Sequence, residues 1–209
     1  MTILAYSHTA ERVLLAADSG LLGAASEPSQ DRLPPQAMAI VPKLFQVGAH
    51  HLAWGLTGDA ADIPRFREWV DQAPLESWSS FAEAAAVKVL SLYQAALERA
   101  HRSKTKKTDV QPPTVLIGGT VGGDLNVAIL EPNGNPYFVA DIGEICSAVG
   151  IYGPAFGIAV RAARQFAPDL ALAEPDTLRR LLGVFCDALP TLERPVQVWS
   201  ITKTTVERG

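Results

Sequence analysis

Four glycines crowd the segment Gly118-Gly-Thr-Val-Gly-Gly-Asp124, where bare backbone N–H groups could cradle a phosphate. A phosphate loop also needs a Lys-Ser/Thr pair and a helix opening behind it. Neither follows, so the segment predicts a hairpin turn. His50 and His51 stand together, but no pair of carboxylates lies beside them, and an adjacent imidazole pair alone makes a poor metal site. The chain has no Gly-x-Ser-x-Gly and no His-Glu-x-x-His. Its two cysteines, Cys146 and Cys186, are far apart and lack metal-ligand spacing, which predicts two free thiols in or near the core. Conventional Ser-His-Asp or metal-assisted hydrolysis is therefore unsupported, and no cofactor or metal is expected.

The elements that must position any other chemistry come from the pattern of apolar residues. With 209 residues, 48% hydrophobic and 19% charged, the chain predicts one domain over 1–209 with a sizeable core. A net charge of −4 argues against a general nucleic-acid binder. The basic cluster Arg99–Lys107 has no aromatic interleaving and reads as a solvated helix end and loop. No apolar run approaches the roughly 20 residues of a membrane helix, and the opening residues carry no signal-peptide pattern. A cytoplasmic protein is expected.

Residues 3–9 and 12–18 predict a β-hairpin. A proline-containing excursion covers 23–42, followed by strands at Lys43–Val47 and His51–Leu56 around a turn at Gly48-Ala49. Asp59 is placed to cap a helix over Ala60–Val70. A longer helix over Ser80–Ala100 shows a stripe of Phe81, Ala84, Val87, Leu90 (or Val89), Tyr93 and Leu97. Strands are predicted at Val115–Gly118, Asn126–Leu130 and Tyr137–Ala140. Helices follow over Pro154–Phe166 and from Asp176, as its cap, to about Asp187. Val196–Ile201 reads as the last strand, alternating Val196, Val198 and Ser200 against Gln197, Trp199 and Ile201. Strands, two helices, strands, two helices and a strand describe sheets covered by helices, an α/β (α+β) class.

Six segments in this order resemble the β-type subunits of proteasomes and their bacterial relatives. They are Leu15-Ala-Ala-Asp-Ser19, Lys43-Leu-Phe-Gln-Val47, Trp54-Gly-Leu-Thr-Gly-Asp-Ala60, Val115-Leu-Ile-Gly-Gly119, Ala148-Val-Gly-Ile-Tyr-Gly-Pro154 and Val196-Gln-Val-Trp-Ser-Ile-Thr202. The similarity runs over nearly the whole chain. It implies a four-layer αββα sandwich of the N-terminal-nucleophile (Ntn) hydrolase type.

By that resemblance the nucleophile is Thr2, sixteen positions before Asp18, with a free α-amine once Met1 is removed. The family's lysine falls on Lys43, and the glycine whose N–H faces the oxyanion on Gly55. Asp187 matches a second aspartate near the nucleophile. Ser19 is taken as substrate-binding, and Ala53 and Thr57, flanking Gly55, as facing the specificity pocket. These residue types suit one another. A threonine hydroxyl needs a base, and an α-amine with a pKa of about 7.7–8.0 is well matched to that task. An ammonium at Lys43, oriented by Asp18, would stabilise the alkoxide, and a backbone N–H at Gly55 the tetrahedral oxyanion.

Four features depart from the family pattern. Ile151 stands where relatives carry a serine, and Pro190, with Thr191 beside it, stands where another serine is expected. The 23–42 excursion is longer than its counterpart. A second register, with one extra residue in the hairpin turn, would put Met1 at the nucleophile position and make the subunit inert. The resemblance implies a threonine peptidase acting on peptide or unfolded-protein substrates inside homo-oligomeric stacked rings, with an AAA-type ATPase partner. The alternatives are an inert structural subunit of the same fold and a non-proteolytic Ntn amidase or transpeptidase.

Overall fold

A computed structural model describes residues 2–22, 37–40, 42–103, 110–138, 146–149, 174–188 and 194–209; of 20–22, 37–40, 137–138, 146–149 and 188 it describes the backbone alone. The expected helix over Pro154–Phe166, Ile151, Pro190, Thr191 and most of the 23–42 excursion lie outside these residues.

The hairpin forms as β1 (Leu4–His8) and β2 (Val13–Ala17), paired Leu4 to Ala17 through His8 to Val13. Its polar step closes through Thr9, whose Oγ1 accepts the Arg12 N–H at 3.1 Å. Beyond it come β3 (Gly20–Leu22), β4 (Ala37–Ile40), β5 (Leu44–Gln46) and β6 (Leu52–Thr57). Helices α1 (Asp62–Val70) and α2 (Trp78–Arg102) follow, then β7 (Thr114–Val121), β8 (Asp124–Leu130), β9 (Pro136–Phe138) and β10 (Cys146–Val149). Helix α3 (Pro175–Ala188) and strands β11 (Gln197–Ile201) and β12 (Val206–Arg208) complete the described elements.

Two five-stranded sheets result, ordered β10-β1-β2-β11-β12 and β5-β6-β7-β8-β9, beside a two-stranded β3-β4 ribbon. All their pairings are antiparallel. Strands β1 and β2 are buried at every position because both of their faces are covered. Ile3, Ala5, Leu14, Ala16, Val196 and Val198 pack against Leu178, Leu182 and Phe185 of α3. The alternate residues, Leu4, Tyr6, Val13, Leu15, Trp199 and Ile201, meet Leu44, Ala53, Leu116 and Val127 of the second sheet. The outer face of that sheet carries Trp54, Leu56, Val115 and Ile117 against Phe66, Phe81, Ala85 and Val89 of α1 and α2. Continuous apolar runs in the sequence are thus period-2 strands whose two faces serve different cores.

Several elements differ in detail from the sequence expectation. Helix α2 starts earlier, at Trp78, because Ser77 caps it: its Oγ accepts the Ser80 N–H at 3.3 Å. The indole of Trp78 also donates to the Asp124 carbonyl at 2.7 Å and ties the helix start to the β7–β8 turn. The face that α2 buries is Trp78, Phe81, Ala82, Ala85, Ala86, Val89, Leu92, Ala96 and Ala100, not the expected stripe through Ala84 and Val87. Small alanines let the helix approach the sheet closely, whereas Val87 stays 59% exposed on the outer side. Ala61 is the N-cap of α1; Asp59 bonds the Ala61 N–H at 3.0 Å just before the helix begins. Asp176 lies inside the first turn of α3, behind Pro175, and pairs with Arg179, so it is not the cap.

Gly118 and Gly119 belong to β7, and the turn is Gly122-Gly123 alone. Gly119 holds φ +139° where the strand passes close to the His51 carbonyl, a conformation closed to residues with a side chain. Strand β12 follows the one expected to be last, and its Arg208 lies over the Trp199 ring, 4.8 Å from its centroid. Among the described residues no helix is long and apolar enough to cross a membrane.

Candidate active site

One end of the space between the sheets is polar. Asp18 directly follows β2 of the first sheet and Lys43 directly precedes β5 of the second, and their side chains meet across the gap. Lys43 Nζ donates to Asp18 Oδ2 at 2.7 Å, with the lysine side chain 5% exposed and the aspartate 0%. Asp18 Oδ1 accepts the Ile3 N–H at 2.9 Å, so the carboxylate fixes both the lysine and the residue that follows Thr2. Thr2 itself is half-buried at the head of the first strand. Burial pushes the Lys43 ammonium below the usual lysine pKa, and the charge and hydrogen bond of Asp18 pull it back up.

Gly55 sits in β6, facing Leu44 on one side and Leu116 on the other. A Cβ there would come 2.7 Å from Leu4 Cδ2 and 3.1 Å from the Lys43 carbonyl oxygen. The missing side chain therefore lets the two sheets approach each other beside the Lys43–Asp18 pair. Thr2, Asp18, Lys43 and Gly55 are thus linked through immediate neighbours.

The remaining candidates are placed differently. Ser19 is buried; its Oγ donates to the Pro195 carbonyl and accepts the Gln197 Nε2–H at 3.1 Å. Ala53 is fully buried in the inter-sheet core. Thr57 is buried as well, with Oγ1 accepting the Thr114 N–H at 3.3 Å. Asp187, near the end of α3, is 67% exposed, and Arg194 Nη2 holds it at 2.9 Å. The same guanidinium donates to the Gly183 carbonyl at 3.3 Å. Among the described residues no group of three or more His, Cys, Asp or Glu is arranged to hold a metal ion.

Two residues that motif reasoning passed over border the pair. Gln197 presents its Oε1 to the Lys43 N–H at 3.2 Å and to the Leu44 N–H at 3.3 Å. Its signal was present: a lone amide on the same alternating face as Trp199 and Ile201. The second is Cys186, half-buried on α3. Burial first, then the Asp18 carboxylate and Asp187, push its thiol up to about 11 against the opposing charges of Arg194 and Lys43. At pH 8 such a thiol is about 0.1% thiolate, against roughly a quarter for an ordinary one. Alkylation of Cys186 by iodoacetamide at pH 8 should be on the order of a hundredfold slower than that of a free thiol peptide. Site-resolved mass spectrometry checks this; labelling at the peptide's rate would mean an open, unperturbed thiol.

Two facing antiparallel sheets, with α1 and α2 on one outer face and α3 on the other, make a proteasome β-subunit-like fold. Solved structures agree. Anbu from Hyphomicrobium sp. strain MC1, a Gly-1 mutant, superposes with a TM-score of 0.65 at 15% identity, covering 100% of this chain and 87% of that one. The eukaryotic HslV of Trypanosoma brucei superposes with a TM-score of 0.53 at 14% identity, covering 96% of this chain and 99% of that one. No protein-family model matches the sequence, and no curated protein matches it either.

Proposed function

We propose that this chain is a threonine peptidase subunit of the proteasome type, cleaving peptide bonds with Thr2 as an N-terminal nucleophile. The observation that carries this reading is the buried Lys43–Asp18 pair, whose carboxylate also grips the N–H of the residue after Thr2. A buried ion pair is a weak stabiliser, so one that also holds the N–H of the residue after a threonine supports a chemical role.

In the proposed reaction the Thr2 α-amine takes the hydroxyl proton as Oγ1 attacks the substrate carbonyl. Lys43 stabilises the developing alkoxide, Asp18 holds Lys43 charged and oriented, and the Gly55 N–H binds the tetrahedral oxyanion. The protonated amine then gives its proton to the leaving amine. The resulting ester on Thr2 is hydrolysed by water that the same amine activates. Asp187 belongs to the surroundings of the amine, and the buried Ser19, Ala53 and Thr57 back the substrate cleft without reaching its surface. We read the layers as a four-layer αββα sandwich and residues 1–209 as one domain. The subunits assemble into homo-oligomeric stacked rings in the cytoplasm, fed with unfolded protein by an AAA-type ATPase.

A second reading keeps the fold and gives up catalysis, and the capture of exposed Asp187 by Arg194 favours it. Intact-mass spectrometry before and after incubation with a peptide epoxyketone separates the two. Loss of Met1 and a gain of one inhibitor mass are expected. A protein that retains Met1 and gains nothing leaves the inert subunit as the reading. Loss of Met1 with turnover of small amides but not peptides leaves an Ntn amidase or transpeptidase.

A further inference from the structure

Strand β5 is an edge of its sheet, and edge strands normally leave backbone groups unpaired. At its start the Lys43 and Leu44 N–H groups both donate to the Gln197 side-chain oxygen, at 3.2 and 3.3 Å. Gln197 belongs to β11 in the opposite sheet, so its amide bridges the two sheets beside the Lys43–Asp18 pair. The amide nitrogen donates to Ser19 Oγ at 3.1 Å, and Ser19 in turn donates to the carbonyl of Pro195, which leads into β11. The chain on both sides of the ion pair, Asp18-Ser19 and Lys43-Leu44, is thereby fastened to one side chain. A leucine would fill this inward position beside Trp199 and Ile201, but it would leave two adjacent N–H groups without that acceptor.

We propose that Gln197 is the positioning residue for Lys43: it fixes the lysine backbone so that Nζ is delivered to Asp18 and to the nucleophile. This rests on the N-terminal-nucleophile reading and deepens it. Gln197 acts through Lys43 and touches no substrate. A displacement of about 1 Å at a reacting group can cost on the order of a hundredfold in rate.

The test compares Gln197→Leu and Gln197→Glu in the full chain. It measures kcat and KM on a fluorogenic peptide and the titration of the Lys43 ammonium by NMR on lysine-labelled protein, with Lys43→Met assigning the signal. Charged and titratable groups facing Lys43 are Asp18 from the end of β2 and Cys186 from α3, with Asp187 and Arg194 beyond Cys186. Gln197→Leu should lower kcat by on the order of a hundredfold with KM within about threefold, and shift the Lys43 titration. Gln197→Glu keeps the acceptor and adds a carboxylate. It should keep kcat within about tenfold of the parent while Lys43 titrates at higher pH. Unchanged kcat in Gln197→Leu overturns the proposal, as does an equal loss in both variants with the Lys43 titration unmoved. If the parent protein turns over no peptide, the peptidase reading falls by itself. The Lys43 titration in Gln197→Leu, which adds no charge, then decides the positioning role alone: moved upholds it, unmoved overturns it.

Discussion

Lys43→Ala should lower the melting temperature by roughly 10 °C and peptide turnover by about 10³-fold or more. Both effects come from one geometry. Lys43 and Asp18 are buried 2.7 Å apart, so deleting the ammonium leaves a carboxylate in the core with the Ile3 N–H on it. Breaking one partner of such a pair costs about 3–5 kcal/mol. The double variant Asp18→Asn/Lys43→Met separates stability from chemistry. Asn keeps an acceptor for the Ile3 N–H and Met fills the lysine's volume without a charge, so most of the lost melting temperature should return. Turnover should not, because no cation faces the alkoxide. Thermal denaturation and kcat/KM on one peptide substrate check both. Parent-like kcat/KM in Lys43→Ala would remove the lysine from the mechanism, and a melting temperature within about 2 °C would contradict the buried pair.

Thr2→Ala should do the opposite: abolish chemistry and leave stability alone. Thr2 is half-buried, and its corner is pinned by the hydrogen bond from the Ile3 N–H to the Asp18 carboxylate, which the substitution does not touch. The expected change in melting temperature is below about 2 °C. Turnover should fall by on the order of 10⁴-fold or more, since the acyl-accepting oxygen is gone. Thr2→Ser keeps that oxygen and should still take up a peptide epoxyketone. Preparing the protein in two forms, with Met1 retained and with Thr2 freed from a cleavable leader, tests the amine. Only the second form should gain the inhibitor mass; a gain by the Met1 form would show that the amine of Thr2 is not the base.

The alternation of apolar residues determined most strands to within a residue or two, because a strand buried on two faces has little freedom of register. The hairpin at residues 3–18, the strands around Gly48-Ala49 and the Gln197–Ile201 strand were legible in this way. The resemblance to proteasome β-type subunits, not any local pattern, singled out Thr2, Lys43 and Gly55. The buried face of α2 was not legible. Phe81 and Val89 of the expected stripe do lie on it, but the rest of the core side is mostly alanine, which carries little hydrophobic signal beside the larger Val87, Leu90 and Leu97. Helix starts moved for a similar reason: Ser77 and Pro175 set them locally, ahead of the first apolar residue of each periodic run.

What the sequence determined by itself was the inventory: which segments are strands, which residues could do chemistry, and that no metal or phosphate motif competes with them. Only the tertiary structure decided which of those residues meet. Asp18 and Lys43 are 25 positions apart and Gln197 lies 154 beyond Lys43, yet all three close one end of the inter-sheet space. No local pattern encodes that meeting. It follows from the stacking of two sheets, which is driven by apolar faces elsewhere and carries these polar ends together.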